Sequence, residues 1–107
     1  MDKKKLQHQI ITDFGFSPIM ASLFITGLEL GPTLMMPLAK KAEVKRSTAY
    51  YIMEELLRRG FFTTKKIGRR TAYIAVSPEQ LLKMTTEREQ RLKKLIPLLT
   101  QISKNSP

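Results

Sequence analysis

The segment 44–60, Val-Lys-Arg-Ser-Thr-Ala-Tyr-Tyr-Ile-Met-Glu-Glu-Leu-Leu-Arg-Arg-Gly, leaves the chain few options. Placed on a helix at about 100° per residue, it separates into two faces. Ala49, Ile52, Met53 and Leu56 fall together, with Leu57 on their flank, which makes one side a packing stripe. Ser47, Tyr51, Glu54 and Arg58 fall opposite, flanked by Arg46, Thr48 and Tyr50. Tyr50 lies nearly as close to the apolar stripe as to the exposed one, so its side stays open. The helix begins with Arg-Ser-Thr, and Gly60 supplies a stop. Small donors and an arginine at a helix N-terminus suit phosphates and base edges in a major groove. A solvated amphipathic helix satisfies the same periodicity.

Charge is distributed as unevenly as these faces. The 107 residues contain 19 Lys and Arg against 9 Asp and Glu, a formal charge of +10. Within residues 40–70 there are ten basic side chains and three acidic ones, so this span holds +7 of the total. Such an excess costs self-repulsion and points to a polyanionic partner. The length allows one modest hydrophobic core and not two. With no cysteine, a disulfide framework and any thiolate metal site are excluded. Met-Asp-Lys-Lys-Lys leads into an amphipathic pattern, so neither a signal peptide nor a membrane span is expected, and the chain reads as soluble and cytoplasmic. His8, the single histidine, has no second ligand candidate nearby and reads as a surface residue. No metal or other cofactor is expected. Nor is an enzyme: there is no glycine-rich phosphate loop and no nucleophile–base pair, and Glu54-Glu55 and Glu87/Glu89 have the spacing of solvated helix faces.

Upstream, Leu6, Ile10, Ile11 and Phe14 recur at helical spacing and are closed by Gly15. Ser17-Pro18 places a hydroxyl at an N-cap and proline at the first helical position. The helix that follows runs through Leu23, Phe24, Leu28 and Leu30 to Gly31-Pro32; it is apolar nearly all round and must be covered on more than one face. A short helix is expected over 37–42, with Leu38 and Ala39 inward and Lys40 and Lys41 outward. Joined by Ala42-Glu43-Val44 to the long segment, it makes a helix-turn-helix. Residues 61–66 and 70–76 are rich in Phe, Thr, Tyr, Ile and Val. They flank Gly68-Arg69, the centre of a two-residue hairpin with glycine first. A basic hairpin directly after such a helix reads as a wing, with Lys65, Lys66, Arg69 and Arg70 on the backbone or in the adjacent minor groove. An edge hairpin protected by charge is the plainer alternative.

Ser77-Pro78-Glu79 opens a last helix expected to reach about Ile102. Leu81, Thr85, Arg88, Leu92, Leu95, Leu99 and Ile102 advance in alternating four- and three-residue steps, the seam of a coiled coil. Thr85 and Arg88 interrupt it, so the clean part begins at Leu92, with Ile96 alongside; Pro97 is expected to kink that turn. A second copy of the stripe covers it most cheaply, which makes Leu92, Leu95, Leu99 and Ile102 the expected dimer contacts. Folding back on the same chain is the alternative. The expected fold class is therefore mainly α with a small β-hairpin. Residues 1–77 form a winged helix-turn-helix domain, and residues 78–107 a C-terminal helix acting as a coiled-coil dimerisation element.

Phe16-Ser17, Glu29-Leu30-Gly31-Pro32, Leu38-Ala39-Lys40, Val44, Arg46-Ser47-Thr48-Ala49-Tyr50, Gly60-Phe61, Tyr73, Ala75-Val76 and Pro78-Glu79-Gln80-Leu81-Leu82 together resemble the winged-helix domain of TrmB-type transcriptional regulators. The Arg-Ser-Thr-Ala-Tyr core and the Ala-Val-Ser-Pro-Glu exit are the most specific parts. The resemblance implies sequence-specific DNA binding as a dimer, usually with a separate effector domain after the winged helix. Here the sequence stops after the long helix, so no sugar-sensing domain is expected. Glu43 stands where the family often has a turn glycine, Lys45 where it often has proline, and Met20 where an acidic capping-box residue is frequent. Met35-Met36 is more apolar than the usual start of the short helix.

The leading expectation is a homodimeric regulator on double-stranded DNA, with Arg46, Ser47, Thr48 and Tyr51 at base edges and phosphates, and Tyr50 beside them. Lys40, Lys41 and Lys45 would meet phosphate around the turn, and Lys65, Lys66, Arg69 and Arg70 would do so from the wing; Arg58 ranks lower. No membrane partner or small-molecule effector is expected. An alternative is a protein-interaction module docking through Ile19, Met20, Met35 and Met36, since exposed methionines make adaptable contacts. RNA binding through the same basic face ranks third, because most aromatic residues are claimed by the core.

Overall fold

A computed structural model describes residues 2–104. The elements are α1 (Lys3–Phe14), α2 (Pro18–Leu30), α3 (Met35–Lys41), α4 (Arg46–Arg58), β1 (Phe62–Ile67), β2 (Arg70–Ala75) and α5 (Pro78–Lys104). They divide between Val76 and Ser77 into two units, the first holding α1 to β2 and the second α5.

Local chemistry accounts for most of the boundaries. The Asp2 carboxylate accepts from the Lys4 and Lys5 amides to start α1, and Gly15 at φ 65° ends it. Ser17 caps α2 by accepting from the Met20 amide, with Pro18 in the first turn. With Met20 at the third helical position, the return half of a capping box is missing. Met20 is itself buried in the core. The short helix begins at Met35, two residues earlier than the sequence suggests, and Pro37 sits at its third position. Amides in a first helical turn have no intrahelical acceptor, so proline there sacrifices no bond.

Helices α3 and α4 end in the same way. Val44 N donates to Ala39 O at 2.9 Å and Glu43 N to Lys40 O at 3.1 Å; Phe61 N donates to Leu56 O at 2.9 Å and Gly60 N to Leu57 O at 3.1 Å. These are the paired bonds of a Schellman motif, whose C′ residue is left-handed. Gly60 takes φ 83° at that position in α4, and Glu43 takes φ 58° in α3. A side chain in this region costs about 1–2 kcal/mol relative to glycine. The helix-turn-helix turn therefore carries modest strain at Glu43. Ser22 Oγ donates to Ala42 O at 3.0 Å and ties the turn to α2.

The core is an aromatic cluster. Phe16 and Phe61 meet edge to face at 4.7 Å between centroids, Phe14 and Phe24 adjoin both, and Phe62 meets Phe24 in turn. Leu23, Leu38, Met53 and Leu56 complete it. Arg59, half-buried, packs against the edge of this core. Its guanidinium donates to the carbonyls of Phe14 and Gly15 and lies 5.3 Å from the Phe16 ring and 5.5 Å from the Phe61 ring. The end of α4 thereby satisfies the open carbonyls at the end of α1.

The hairpin pairs Ile67 with Arg70 across Gly68-Arg69, and Gly68 has φ 62° while Arg69 stays negative. A positive first and negative second residue is the II′ arrangement that matches strand twist. Thr33 and Tyr73 exchange backbone bonds of 3.0 and 2.7 Å, so the link between α2 and α3 pairs with β2. Gly27 allows the hairpin to approach: a Cβ there would lie 2.7 Å from Phe62 Cζ. The result is a mostly helical winged-helix unit followed by a long C-terminal helix.

The docking surface of the alternative reading loses two of its four residues to the interior. Met35 is 2% exposed and Met20 7%, leaving Ile19 and Met36 from that group at the surface. Helix α2 is covered on several sides, and both methionines fill gaps in that cover.

Candidate nucleic-acid interface

Helix α4 buries Ala49, Met53 and Leu56 and leaves Ile52 and Leu57 half-buried. That burial fixes its rotation. Ser47 is exposed and Tyr51 is 74% exposed on the opposite side, while Thr48 is half-buried. Tyr50, left open by periodicity, is 43% exposed. The helix starts at Arg46 and not at Val44, with Lys45 as an N-cap that makes no side-chain capping bond. No acidic residue lies in the first turn. Among the described residues the first amides there find no side-chain acceptor, and they lie next to Lys45, Arg46 and Ser47, which suits an anion.

The surrounding cations differ in their availability. Lys40 and Lys41 end α3 and are exposed, but Lys41 Nζ is 3.8 Å from Glu29 Oε2. Glu29 also receives Lys3 Nζ at 2.6 Å, and that hydrogen bond, with the charges of Lys3 and Lys41, holds its carboxyl below the usual range. Arg58 is turned to Glu55, one helical turn back. Arg59 is committed to the α1 carbonyls. On the wing, Lys65, Lys66, Arg69 and Arg70 are all exposed, and Lys66 Nζ donates to Thr71 Oγ1 at 3.0 Å.

Helix and wing converge on a cleft of about 460 Å³ whose walls include Arg46, Tyr50, Arg69, Arg70, Thr71 and Tyr73. The Arg46 guanidinium sits 5.8 Å from the Tyr50 ring centre, a cation–π contact that steadies it at the rim. Burial, with Tyr50 as a smaller influence, holds the Tyr73 phenol above its ordinary value, so it stays neutral and able to donate. Thr71 and Tyr73 escape a sequence reading because in isolation they look like ordinary strand residues. Their only signal is proximity to Arg70.

On α5, Ser77 Oγ accepts from the Gln80 amide at 3.2 Å, and the helix continues through Pro97 to Lys104. Leu92, Leu95, Leu99 and Ile102 are exposed, as are Ile96 and Leu98. No single helix among the described residues is long and apolar enough to cross a membrane.

Comparison with known proteins agrees with this arrangement. The sequence pattern of the sugar-specific transcriptional regulator TrmB family matches residues 11–79, more than half of the chain. No curated protein matches it. Among solved structures, TrmBL2, described as an archaeal chromatin protein with a novel mode of DNA binding, superposes with a TM-score of 0.82 at 20% identity over 97% of this chain. The chain spans only 41% of that protein's length. A transcriptional regulator from Thermotoga maritima gives 0.61 at 22% identity, covering 95% of this chain and 77% of its own. A MarR family protein from Bacillus stearothermophilus gives 0.61 at 14% identity, covering 95% and 81%. At these identities the likeness is one of fold.

Proposed function

The chain belongs to the TrmB family of transcriptional regulators, and from that premise we propose that it binds double-stranded DNA sequence-specifically as a homodimer. Helix α4 enters the major groove and the wing meets the backbone or minor groove. The observation that carries this reading is the rotation of α4. Burial of Ala49, Met53 and Leu56 turns Ser47 and Tyr51 to solvent at the end of the helix where no side chain satisfies the amides. Ser47, Thr48 and Tyr51 read base edges, and Arg46 and Lys45 hold phosphate, as do Lys40 and Lys41. Lys65, Lys66, Arg69 and Arg70 add sequence-independent affinity from the wing, and Tyr50 contacts the backbone beside Arg46. TrmBL2, whose described activity is DNA binding, shares this fold and supports the reading.

Residues 1–77 act as the DNA-binding domain and 78–107 as the dimerisation element. Leu92, Leu95, Leu99 and Ile102 lie within about 80° of helix circumference at about 100° per residue, and two such stripes bury each other. The test is selection of bound duplexes from a random pool at fixed salt, for the parent and for a Leu95→Lys/Leu99→Lys variant. An inverted repeat with two half-sites is expected from the parent. The variant should sediment as a monomer and lose most of its affinity, because the half-sites are no longer linked. Recovery of no preferred sequence refutes specificity, and an unchanged dimer in the variant refutes the α5 interface.

A further inference from the structure

The cleft between α4 and the wing gathers more hydrogen-bond donors than base reading by α4 requires. Arg46 and Tyr50 line it from α4, Arg69 and Arg70 from the hairpin, and Thr71 and Tyr73 from β2, while the start of α3 supplies an apolar wall. No carboxylate lines the cleft, and none of the three arginines forms an ion pair among the described residues. Thr71 Oγ1 already accepts from Lys66, which leaves its own O–H to donate. Guanidinium groups that line one cleft without counter-charge repel one another, and a planar fork of donors matches phosphate oxygens in particular. The volume of about 460 Å³ lies within the range of ordinary ligand sites, about 300–1,000 Å³, and admits a phosphate with the sugar it esterifies.

We propose that this cleft seats a single phosphate ester, held jointly by α4 and the wing, with Thr71 and Tyr73 contributing from β2. Where the ester belongs to DNA, the seat rests on the DNA-binding reading and fixes the register between the helix in the major groove and the wing beside it. A free phosphate ester meets the same donors, so a phosphorylated solute competes with the duplex for this place.

Two measurements test the seat. In the first, deoxyribose 5-phosphate is titrated into the isotopically labelled, DNA-free protein at constant ionic strength, with deoxyribose plus sodium chloride as the control. Amide shifts confined to the cleft walls, namely the start of α3, the first turns of α4, the Gly68-Arg69 turn and β2, are expected, with affinity about threefold to tenfold weaker in Tyr73→Phe and in Thr71→Val. In the second, Arg46→Gln and Arg70→Gln are combined on the selected duplex. If one phosphate is shared, the double variant loses about threefold or more less affinity than the product of the single losses. Localised shifts with such a shortfall support a seat used by DNA. Localised shifts with independent losses assign the seat to free phosphate esters. Shifts scattered over all exposed lysines and arginines, or none beyond the control, overturn it. Absence of any duplex binding defeats the proposed function, while the first measurement still judges the cleft.

Discussion

Replacing Gly27 with alanine sets helix propensity against packing, and the structure decides the sign. Gly27 lies inside α2, where alanine is intrinsically better by about 1 kcal/mol. The added methyl would stand 2.7 Å from Phe62 Cζ, 2.8 Å from its Cε1 and 3.2 Å from the Ala75 Cβ. Carbon atoms in contact prefer about 3.5–4.0 Å, so the ring must retreat by roughly 0.8 Å. It has little room, because Phe62 is 2% exposed and meets Phe24 edge to face at 6.2 Å. Overpacking of this kind costs about 1–3 kcal/mol. Overlap with two atoms of a confined ring places the cost in the upper part of that range. A net loss of about 1–2 kcal/mol is therefore expected, seen as a lower urea midpoint and a melting temperature down by roughly 5–15 °C. Phe62→Leu in the same chain should remove part of the clash, so the double variant should be more stable than the two single losses predict. A Gly27→Ala protein more stable than its parent would refute the packing account and leave propensity in charge.

Glu43→Gly should act in the opposite sense. Relief of the left-handed side chain outweighs the extra freedom of the unfolded glycine, and a gain of about 0.5–1 kcal/mol is expected in denaturant melts. A loss would mean that the Glu43 side chain contributes an interaction of its own. Arg59→Lys cannot reproduce the fork to the Phe14 and Gly15 carbonyls or the contact with two rings. It should lower stability by about 1–3 kcal/mol while leaving the duplex affinity of the folded protein unchanged. Lost affinity with intact stability would make Arg59 a DNA contact. Ser47→Ala and Tyr51→Ala, at exposed positions, should each change stability by under about 0.5 kcal/mol. Each should nonetheless cost roughly 1–3 kcal/mol on the selected duplex and much less on a scrambled one. Equal losses on both duplexes would reassign these residues to the backbone.

Much of the architecture was local enough to be read along the chain. Ser17-Pro18, Gly31-Pro32, Gly60 and Gly68-Arg69 mark ends and turns because capping bonds and left-handed backbone depend on residues a few positions apart. The rotation of α4 was legible for the same reason: a helix has one period, and Ala49, Met53 and Leu56 define its buried side. Only the tertiary structure decided matters that depend on distant partners. Arg59, Arg58 and Lys41 all count as cations, yet one caps α1, one turns to Glu55 and one approaches Glu29. Met20 and Met35 looked available until the neighbours of α2 and α3 covered them. The start of α3 at Met35 is not legible from Pro37, because proline marks a helix start at several positions of the first turn, not just one. The bridge from Thr33 to Tyr73 joins segments forty residues apart, and no period or cap announces it. Pairing at that separation depends on how α2 and the hairpin pack, which Gly27 permits by lacking a single methyl group.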